Sequence, residues 1–199
     1  MQQPGASDIF DRESRRTPGS EGIWTFIFID MVIFQMIFLM FMGERLRRLG
    51  VFVESQRHLN DLAGLLNALI LLTSSWVVVL AVRAARKGDG ALSRRHLGVA
   101  WLLGLAFCIN KIIEYYAKVQ AGLTPASNPF YSYYYFITFI HFLHVLAGMI
   151  FIAYCRGQAR ARAGSEGFVT GLENVGLFWH FVDVLWICIF PLLYLVGRS

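Results

Sequence analysis

Hydrophobic residues are concentrated in five long runs, and shorter segments rich in charged residues separate these runs. Each run is about 20 residues long, which is the length that an α-helix needs to cross the hydrocarbon core of a bilayer. Together the runs fill more than half of the chain, so little remains for a soluble core. The sequence therefore predicts an all-α integral membrane bundle of five helices, over residues 23–42, 62–82, 97–117, 133–154 and 175–196.

The first 21 residues differ in character from the rest of the chain. They mix acidic and basic side chains, contain few large apolar residues, and include Pro4, Gly5, Pro18 and Gly19. A composition of this kind buries too little apolar surface to order a segment. We therefore predict a flexible cytoplasmic N-terminal tail over 1–21, followed by a single five-span domain over 22–199.

Basic residues flank the apolar runs and are distributed unevenly between the two sides of the bundle. Eleven Lys and Arg residues fall in the tail and in the two loops that share its side, against six on the other side. Short cytoplasmic loops carry the excess of positive charge in membrane proteins. The pattern predicts a cytoplasmic N-terminus and an external C-terminus, and it explains the net charge of +5 without nucleic-acid binding.

Four ionisable residues fall inside the apolar runs at a similar depth from the cytoplasmic side. They are Asp30 in the first run, His144 in the fourth, and His180 and Asp183 in the fifth. Ionisable groups at membrane depth are expensive, so they usually face a protein interior and carry a function. We predict that these four residues form one inner polar cluster, related to proton transfer. The alternative from spacing alone is a structural pair that only packs two helices together.

A second pair of ionisable residues lies in the outer half of the third run. Lys111 and Glu114 are three residues apart, which places them on one face of a helix. The spacing predicts an outer ion pair, in which the long Lys111 side chain extends toward the nearby membrane interface. Trp24, at the start of the first run, occupies a position typical of an interfacial aromatic residue.

The fourth run holds two histidines, His141 and His144, that could in principle ligate haem or a metal ion. The chain contains only five histidines, and two of these, His58 and His96, lie in loops or at the ends of runs. A metal-dependent oxygenase needs a larger ligand set. We therefore predict no metal site and no intrinsic cofactor, and a hydrogen-bonded histidine cluster in their place.

Motifs in all five runs, taken in this order, resemble subunit III of the haem-copper oxidases. The most specific is Trp179-His180-Phe181-Val182-Asp183, with Trp186 following. The other matching segments are Gly22-Ile23-Trp24 with Asp30-Met31, Asn67 with Leu72-Thr73-Ser74-Ser75, Glu114-Tyr115, and His141 with His144-Val145 and Gly148.

The resemblance implies a non-redox accessory subunit without haem, copper or catalytic residues of its own. Such a subunit packs beside catalytic subunit I and other subunits, holds phospholipid in a cleft between helix bundles, supports proton uptake and protects the catalytic site. It would lie in the inner membrane of a bacterium. The residues that the resemblance assigns either to the lipid cleft or to structural roles are Trp24, His141, Glu173, Trp179 and Trp186.

The length of the chain and its Gly22-Ile23-Trp24 opening favour the NorE-like branch, whose members are associated with nitric oxide reductase. The sequence departs from the family pattern at Asp30, where a glutamate is usual, at Phe142, where a glycine is common, and at Lys111, where a glutamine is frequent. Two other functions compete with an accessory subunit. One is a stand-alone transporter of protons or small solutes, and the other is a haem-binding enzyme.

Overall fold

The computed structural model describes residues 18–195, which fold as a bundle of helices with no strand in that part of the chain. Five helices are long and apolar enough to cross a membrane, so the prediction of an all-α five-helix membrane protein is confirmed. A short helix and a terminal π-helical turn complete the fold. The elements are α1 (Glu21–Arg47), α2 (Leu49–Arg57), α3 (Asp61–Arg86), α4 (Gly90–Gln120), α5 (Pro129–Arg162), α6 (Glu166–Phe190) and the π-helical turn Pro191–Leu195.

Each long helix begins before the apolar run that predicted it, and in three of them a polar side chain caps the first turn. Asn60, Asp89 and Asn128 stand just before α3, α4 and α5 and accept hydrogen bonds from the backbone N–H three residues later. Such caps satisfy donors that the first turn leaves unpaired. Hydropathy marks only the membrane core, so the predicted limits lie inside the helices.

Helices α3 to α6 form the compact part of the bundle. Helix α3 packs on α4 and α6, and α5 packs on the same two neighbours, which leaves α3 and α5 on opposite sides. Close packing at one crossing requires a glycine. A Cβ atom at Gly148 would lie 2.5 Å from Cε3 of Trp179, so only a residue without a side chain allows α5 and α6 to approach this closely.

Helix α1 lies against α5 and α6 and is held by a narrow stripe of side chains. Its buried residues are Ile27, Phe34 and Phe41, which are spaced seven residues apart and therefore share one face. Most of its other large apolar residues are exposed to the surroundings of the bundle. This helix is consequently the least buried of the five spans.

The segment between α1 and α3 forms the short helix α2, which packs on α5 and on the π-helical turn. Phe52 is completely buried and contacts the rings of Phe41 and Phe130. Gln56 donates from Nε2 to the carbonyl oxygens of Leu192 and Leu193, at 3.3 and 3.1 Å. The side-chain amide thus satisfies carbonyl groups in the π-helical turn.

The predicted tail ends earlier than residue 21. The backbone N–H of Gly19 donates to Glu173 at 3.1 Å, and that of Ser20 donates to Asn174 at 2.8 Å. Trp24 adds a bond from Nε1 to the carbonyl of Pro18 at 3.1 Å. Residues 18–20 are therefore tied to α6, while the remainder of the predicted tail, 1–17, lies outside the described residues.

Candidate functional site

Asp30 and His144 form a pair that joins α1 to α5. His144 Nε2 lies 3.1 Å from Asp30 Oδ2, and both side chains are mostly buried. The other ring nitrogen, His144 Nδ1, lies 2.8 Å from the carbonyl oxygen of Ile140. The rings of Phe34 and Phe178 cover the imidazole, with centroids 5.6 and 6.2 Å away. The carboxylate and the imidazole are therefore held face to face in an apolar surrounding.

The hydrogen bond at His144 Nδ1 fixes how many protons this pair holds. A carbonyl oxygen can only accept, so Nδ1 must carry a hydrogen. In a neutral imidazole Nε2 is then an acceptor, so a hydrogen bond between Nε2 and the carboxyl group of Asp30 forms only when one of the two groups binds a further proton. That proton makes the pair either imidazolium with carboxylate or imidazole with carboxylic acid. The geometry is thus that of a carboxyl–imidazole pair within reach of a shared proton.

His180 and Asp183 form a second pair, between α6 and α3. His180 Nδ1 lies 3.9 Å from Asp183 Oδ2 and is also hydrogen bonded to the hydroxyl of Ser75. Asp183 is buried, and its Oδ1 atom has no hydrogen-bond partner within residues 18–195. A buried polar atom of this kind needs a water molecule or a partner from another chain.

The prediction of a single inner cluster is wrong, because the two pairs lie on opposite sides of α6. Phe178 turns toward His144, whereas His180 turns toward Ser75 on α3. Two side chains that are two residues apart on an α-helix differ in direction by a rotation of about 200°. The four residues therefore form two separate pairs that face different helices.

His141 contributes to neither pair. It is completely buried between the rings of Phe107 and Trp186, whose centroids lie 5.7 and 5.2 Å away. Neither ring nitrogen has a hydrogen-bond partner in the described part of the chain. The expected hydrogen-bonded cluster of His141 with His144 is therefore not formed, since His141 faces the interior of the bundle and His144 faces α1.

Lys111 and Glu114 lie 2.9 Å apart, at the centre of a larger outer cluster. Lys111 is completely buried, and its ammonium group also donates to the hydroxyls of Tyr134 and Tyr194, at 3.0 and 3.1 Å. Glu114 Oε1 accepts from the same two tyrosines, at 2.7 and 2.8 Å, and Lys118 lies 3.5 Å away.

The expectation that Lys111 extends toward the membrane interface is wrong. All three of its ammonium hydrogens have acceptors inside the bundle, and aromatic rings surround the charge. The Nζ atom lies 4.9 Å from the ring centroid of Tyr134 and 5.1 Å from that of Trp186. Cation–π contacts and full hydrogen bonding favour the buried position over an exposed one.

The tryptophans of the predicted lipid cleft divide between the core and the surface. Trp179 and Trp186 are buried and donate to Ser74 Oγ and to the carbonyl of Gly64, at 3.1 and 3.3 Å. Trp24 is exposed. Glu173 accepts from Arg86 at 2.8 Å as well as from Gly19, so it joins α6 to α3 and to the start of α1. Trp179 and Trp186 cannot touch a lipid outside the bundle.

The site residues that sequence reasoning missed are mostly hydroxyl groups. Tyr134 lies in the fourth apolar run and Ser74 and Ser75 lie in the second, and none of the three was among the candidate site residues. The serines carried a usable signal, because they follow Thr73 in a motif that the resemblance had already singled out. Across residues 18–195 no three His, Cys, Asp or Glu side chains gather closely enough to hold a metal ion.

Five membrane-spanning helices with ionisable pairs between them define a multi-pass membrane protein, and comparison with known proteins gives its family. Residues 19–198 match the family described as cytochrome c oxidase subunit III. The chain is 32% identical over 177 residues to cytochrome bo(3) ubiquinol oxidase subunit 3 of Pseudomonas aeruginosa, which covers 88% of this chain and 84% of the relative. It is 30% identical over 183 residues to cytochrome c oxidase subunit 3 of Corynebacterium diphtheriae, covering 90% and 89%.

The chain therefore belongs to the cytochrome c oxidase subunit III family. A third relative, probable cytochrome c oxidase subunit 3 of Nocardia farcinica, is 28% identical over 195 residues and covers 97% of this chain and 96% of its own length. Such matches run almost from end to end. The protein is an accessory membrane subunit of a haem-copper oxidase complex that includes subunit I, and it acts in respiratory electron transport.

Proposed function

We propose that this subunit supports proton uptake by the oxidase, with the Asp30–His144 pair as the group that holds the proton. The observation that supports the proposal is the contact of His144 Nδ1 with the carbonyl oxygen of Ile140, which leaves Nε2 as the ring nitrogen that faces the carboxyl group of Asp30, 3.1 Å away. The side chains of Asp30 and His144 remain 13% and 19% exposed. Because both side chains are partly exposed, the pair can exchange its proton with water or with a neighbouring subunit.

Asp30→Asn tests this role in the assembled oxidase complex. The substitution removes the carboxyl group and keeps nearly the same shape, so the pair can no longer store a proton. We expect proton uptake during steady turnover to slow several-fold while the haem content of the complex stays unchanged. Time-resolved proton uptake in reconstituted vesicles measures the effect.

A matched control is Glu54→Gln, which removes an exposed carboxylate on α2. It should leave proton uptake unchanged. Infrared difference spectroscopy adds a direct readout, because a carboxyl band that appears or shifts with turnover in the native complex should be missing after Asp30→Asn. Unchanged uptake and an unchanged infrared spectrum in Asp30→Asn would remove this pair from the pathway.

A subunit of this kind has two candidate partner complexes. We propose an oxygen-reducing terminal oxidase as the first candidate. The relatives named above carry the names of ubiquinol and cytochrome c oxidases. The Gly22-Ile23-Trp24 opening favours an association with nitric oxide reductase as the second candidate. Deletion strains decide between them: oxygen consumption falls in aerobic growth if the first holds, and nitric oxide reduction falls in denitrifying growth if the second holds.

We further propose that the subunit has no haem or metal of its own and works only beside its catalytic partner. Haem extraction and metal analysis of the purified chain test this directly. We expect the amounts of haem, copper and iron to be far below one per chain. Stoichiometric haem bound to the chain, lost after His141→Ala or His180→Ala, would favour the haem-binding enzyme instead.

A phospholipid acyl chain is the proposed occupant of an apolar groove beside α1. The groove has a volume of about 380 Å³ and lies between Ile23 and Phe26 of α1, Phe151 of α5, and Val175 and Phe178 of α6. Filling it with Val175→Trp should reduce the phospholipid that co-purifies with the complex. Lipid extraction with mass spectrometry gives the amount per complex, and an unchanged amount would contradict this position.

We also propose that the N-terminus is cytoplasmic and that the membrane is the inner membrane of a bacterium. The unequal numbers of Lys and Arg on the two sides support this orientation. The five spans then place the C-terminus outside. With this orientation the Asp30–His144 and His180–Asp183 pairs lie in the cytoplasmic half, from which protons are taken up.

A further inference from the structure

Helices α4 and α5 enclose a groove whose two ends differ in chemistry. The groove has a volume of about 730 Å³ and extends along α4 from Ala91 to Leu102, which is about 16 Å of helix. One end carries four arginines, two from each helix, and the other end is apolar. The arginines are Arg94, Arg95, Arg156 and Arg160, and the apolar end is formed by Val99, Trp101, Leu102 and Ala153.

The four arginines line the groove, and three of them, Arg95, Arg156 and Arg160, are exposed. Arg94 donates from a guanidinium nitrogen to the carbonyl of Arg156 at 3.2 Å, which connects the two helices. Gly98 gives Arg156 room to lie across α4, since a Cβ there would come within 3.0 Å of Arg156 Nε. None of the four arginines forms an ion pair within residues 18–195. Four like charges in one groove repel each other and favour a negatively charged ligand.

We propose that this groove binds the head group and part of one acyl chain of an anionic phospholipid. Guanidinium groups bind phosphate through paired hydrogen bonds, and basic pockets between membrane helices are typical sites for anionic head groups. A free phosphate ion would use only the basic end. The apolar continuation past Gly98 toward Leu102 matches a ligand that has a charged head and a hydrocarbon chain.

This site is distinct from the groove beside α1. Phe151 lines the α1 groove and Ala153 lines the arginine groove, and a separation of two residues turns their side chains to opposite sides of α5. The proposal rests on the proposed function only because it requires a protein in a bilayer. It adds a second bound lipid, with a defined head-group charge, to the one proposed beside α1.

Native mass spectrometry of the full chain in mild detergent tests the proposal with three added probes. These are dioleoyl phosphatidylglycerol, dioleoyl phosphatidylethanolamine and dioleoylglycerol. We expect phosphatidylglycerol to bind most tightly, because only it combines a net negative head group with acyl chains. Equal binding of the zwitterionic and anionic lipids would overturn the proposal, and so would complete displacement of phosphatidylglycerol by inorganic phosphate.

The double substitution Arg95→Gln with Arg156→Gln should weaken phosphatidylglycerol binding roughly 25-fold, from about a factor of five per arginine. The matched control, Arg83→Gln with Arg162→Gln, removes two exposed charges outside the groove and should bind the lipid as the native chain does. Replacing Arg95 and Arg156 by lysine should retain part of the binding, because lysine keeps the positive charge but not the paired hydrogen bonds of a guanidinium group.

The same variants are also expressed in cells, and the amount of catalytic subunit that co-purifies with each is measured. This measurement separates the lipid proposal from the proposed function. If the groove binds lipid, the Arg95→Gln/Arg156→Gln chain still assembles with its partner while lipid binding falls. If assembly is lost and lipid binding is unchanged, the arginines bind acidic side chains of another subunit and the lipid proposal fails. Equal lipid loss in the Arg83→Gln/Arg162→Gln control would also overturn it.

Discussion

Lys111 shows how a single charged side chain can be stable deep inside a membrane bundle. Its three hydrogens are donated to one carboxylate oxygen of Glu114 and to two tyrosine hydroxyls. The carboxylate is satisfied in turn by the same hydroxyls and by Lys118. Removing Lys111 leaves the buried carboxylate of Glu114 with only the more distant Lys118 as a counter-charge. Breaking a buried pair in this way costs more than the pair itself contributes.

Lys111→Met should therefore lower the free energy of unfolding by about 3–5 kcal/mol, since Glu114 then keeps only Lys118 as a positive neighbour. The double substitution Lys111→Met with Glu114→Gln should cost less, because the buried carboxylate is removed together with its nearest counter-charge and only Lys118 loses its ion-pair partner. Chemical unfolding in mixed micelles, followed by tryptophan fluorescence, measures both variants. A double variant that is less stable than Lys111→Met would contradict the importance of the uncompensated charge.

The sequence predicted pairs of residues better than it predicted their surroundings. Spacing of three placed Lys111 beside Glu114 and His180 beside Asp183, because positions three apart always meet on a helix. Tyr194 reaches the cluster from 80 residues further along the chain than Glu114. Contacts of that kind depend on how helices rotate against each other, and a single sequence carries no measure of that rotation.

At the scale of the helix pair, the contact between Gly148 and Trp179 sets the distance between α5 and α6. The indole of Trp179 cannot easily move away. Its Nε1 is hydrogen bonded to Ser74, and Gly104 of α4 is close to its far edge, where an added Cβ would lie 3.1 Å from Cη2 of the indole. Added volume at position 148 must therefore displace a helix instead of a side chain.

Gly148→Ala should reduce stability by about 2 kcal/mol. Overpacking costs up to about 3 kcal/mol, and the higher helix propensity of alanine returns about 1 kcal/mol. Gly157→Ala on the same helix is the control, because nothing lies within 4 Å of a Cβ at that position. The control should be as stable as the native chain or more so. Melting temperatures of the two variants in one detergent provide the comparison, and equal melting temperatures would contradict the steric argument.

The π-helical turn depends on help from α2, which is a contact between elements far apart in sequence. Gln56→Leu removes the two hydrogen bonds to the carbonyls of Leu192 and Leu193 and keeps the side chain large and apolar. We expect a loss of about 1–2 kcal/mol, at about 1 kcal/mol per hydrogen bond. Gln120→Leu, an exposed glutamine at the end of α4, should change stability by less than about 0.5 kcal/mol.

Hydrogen exchange at the amide groups of residues 191–195 gives a local readout for the same variants. Faster exchange in Gln56→Leu, with no change elsewhere, is the expected pattern. Uniform exchange changes across the bundle would show that Gln56 acts on the whole fold. The sequence predicts only a connection between the first two apolar runs here, because a helix of nine residues is too short to produce a run of membrane length.

For the whole molecule, hydropathy was sufficient to count the helices and to state their order. Apolar runs of membrane length have few alternative structures in a bilayer, so their number carries over directly into the fold. The ends of the helices and the direction of each buried face depended on caps and on neighbours. That is why five spans were predicted correctly while the single inner cluster was not.

Reporter fusions after Arg86 and after Ser199 test the arrangement of the whole chain in the membrane. An alkaline phosphatase fusion should be inactive after Arg86 and active after Ser199, because the first position is cytoplasmic and the second external in the proposed orientation. A green fluorescent protein fusion should give the opposite pattern. Three of the proposed spans lie between these two positions. If both fusions report the same side of the membrane, this arrangement is wrong.

The narrow contact of α1 makes this helix an exchangeable part of the molecule. The bundle uses three apolar side chains at seven-residue intervals, Ile27, Phe34 and Phe41, together with the carboxyl group of Asp30. We expect that a separate membrane helix presenting these groups, together with the partly buried Ile23, Ile37, Phe38 and Met42, can take its place. Cutting the chain between α1 and α2 and expressing the two pieces separately would show whether such a helix finds its place without a covalent link.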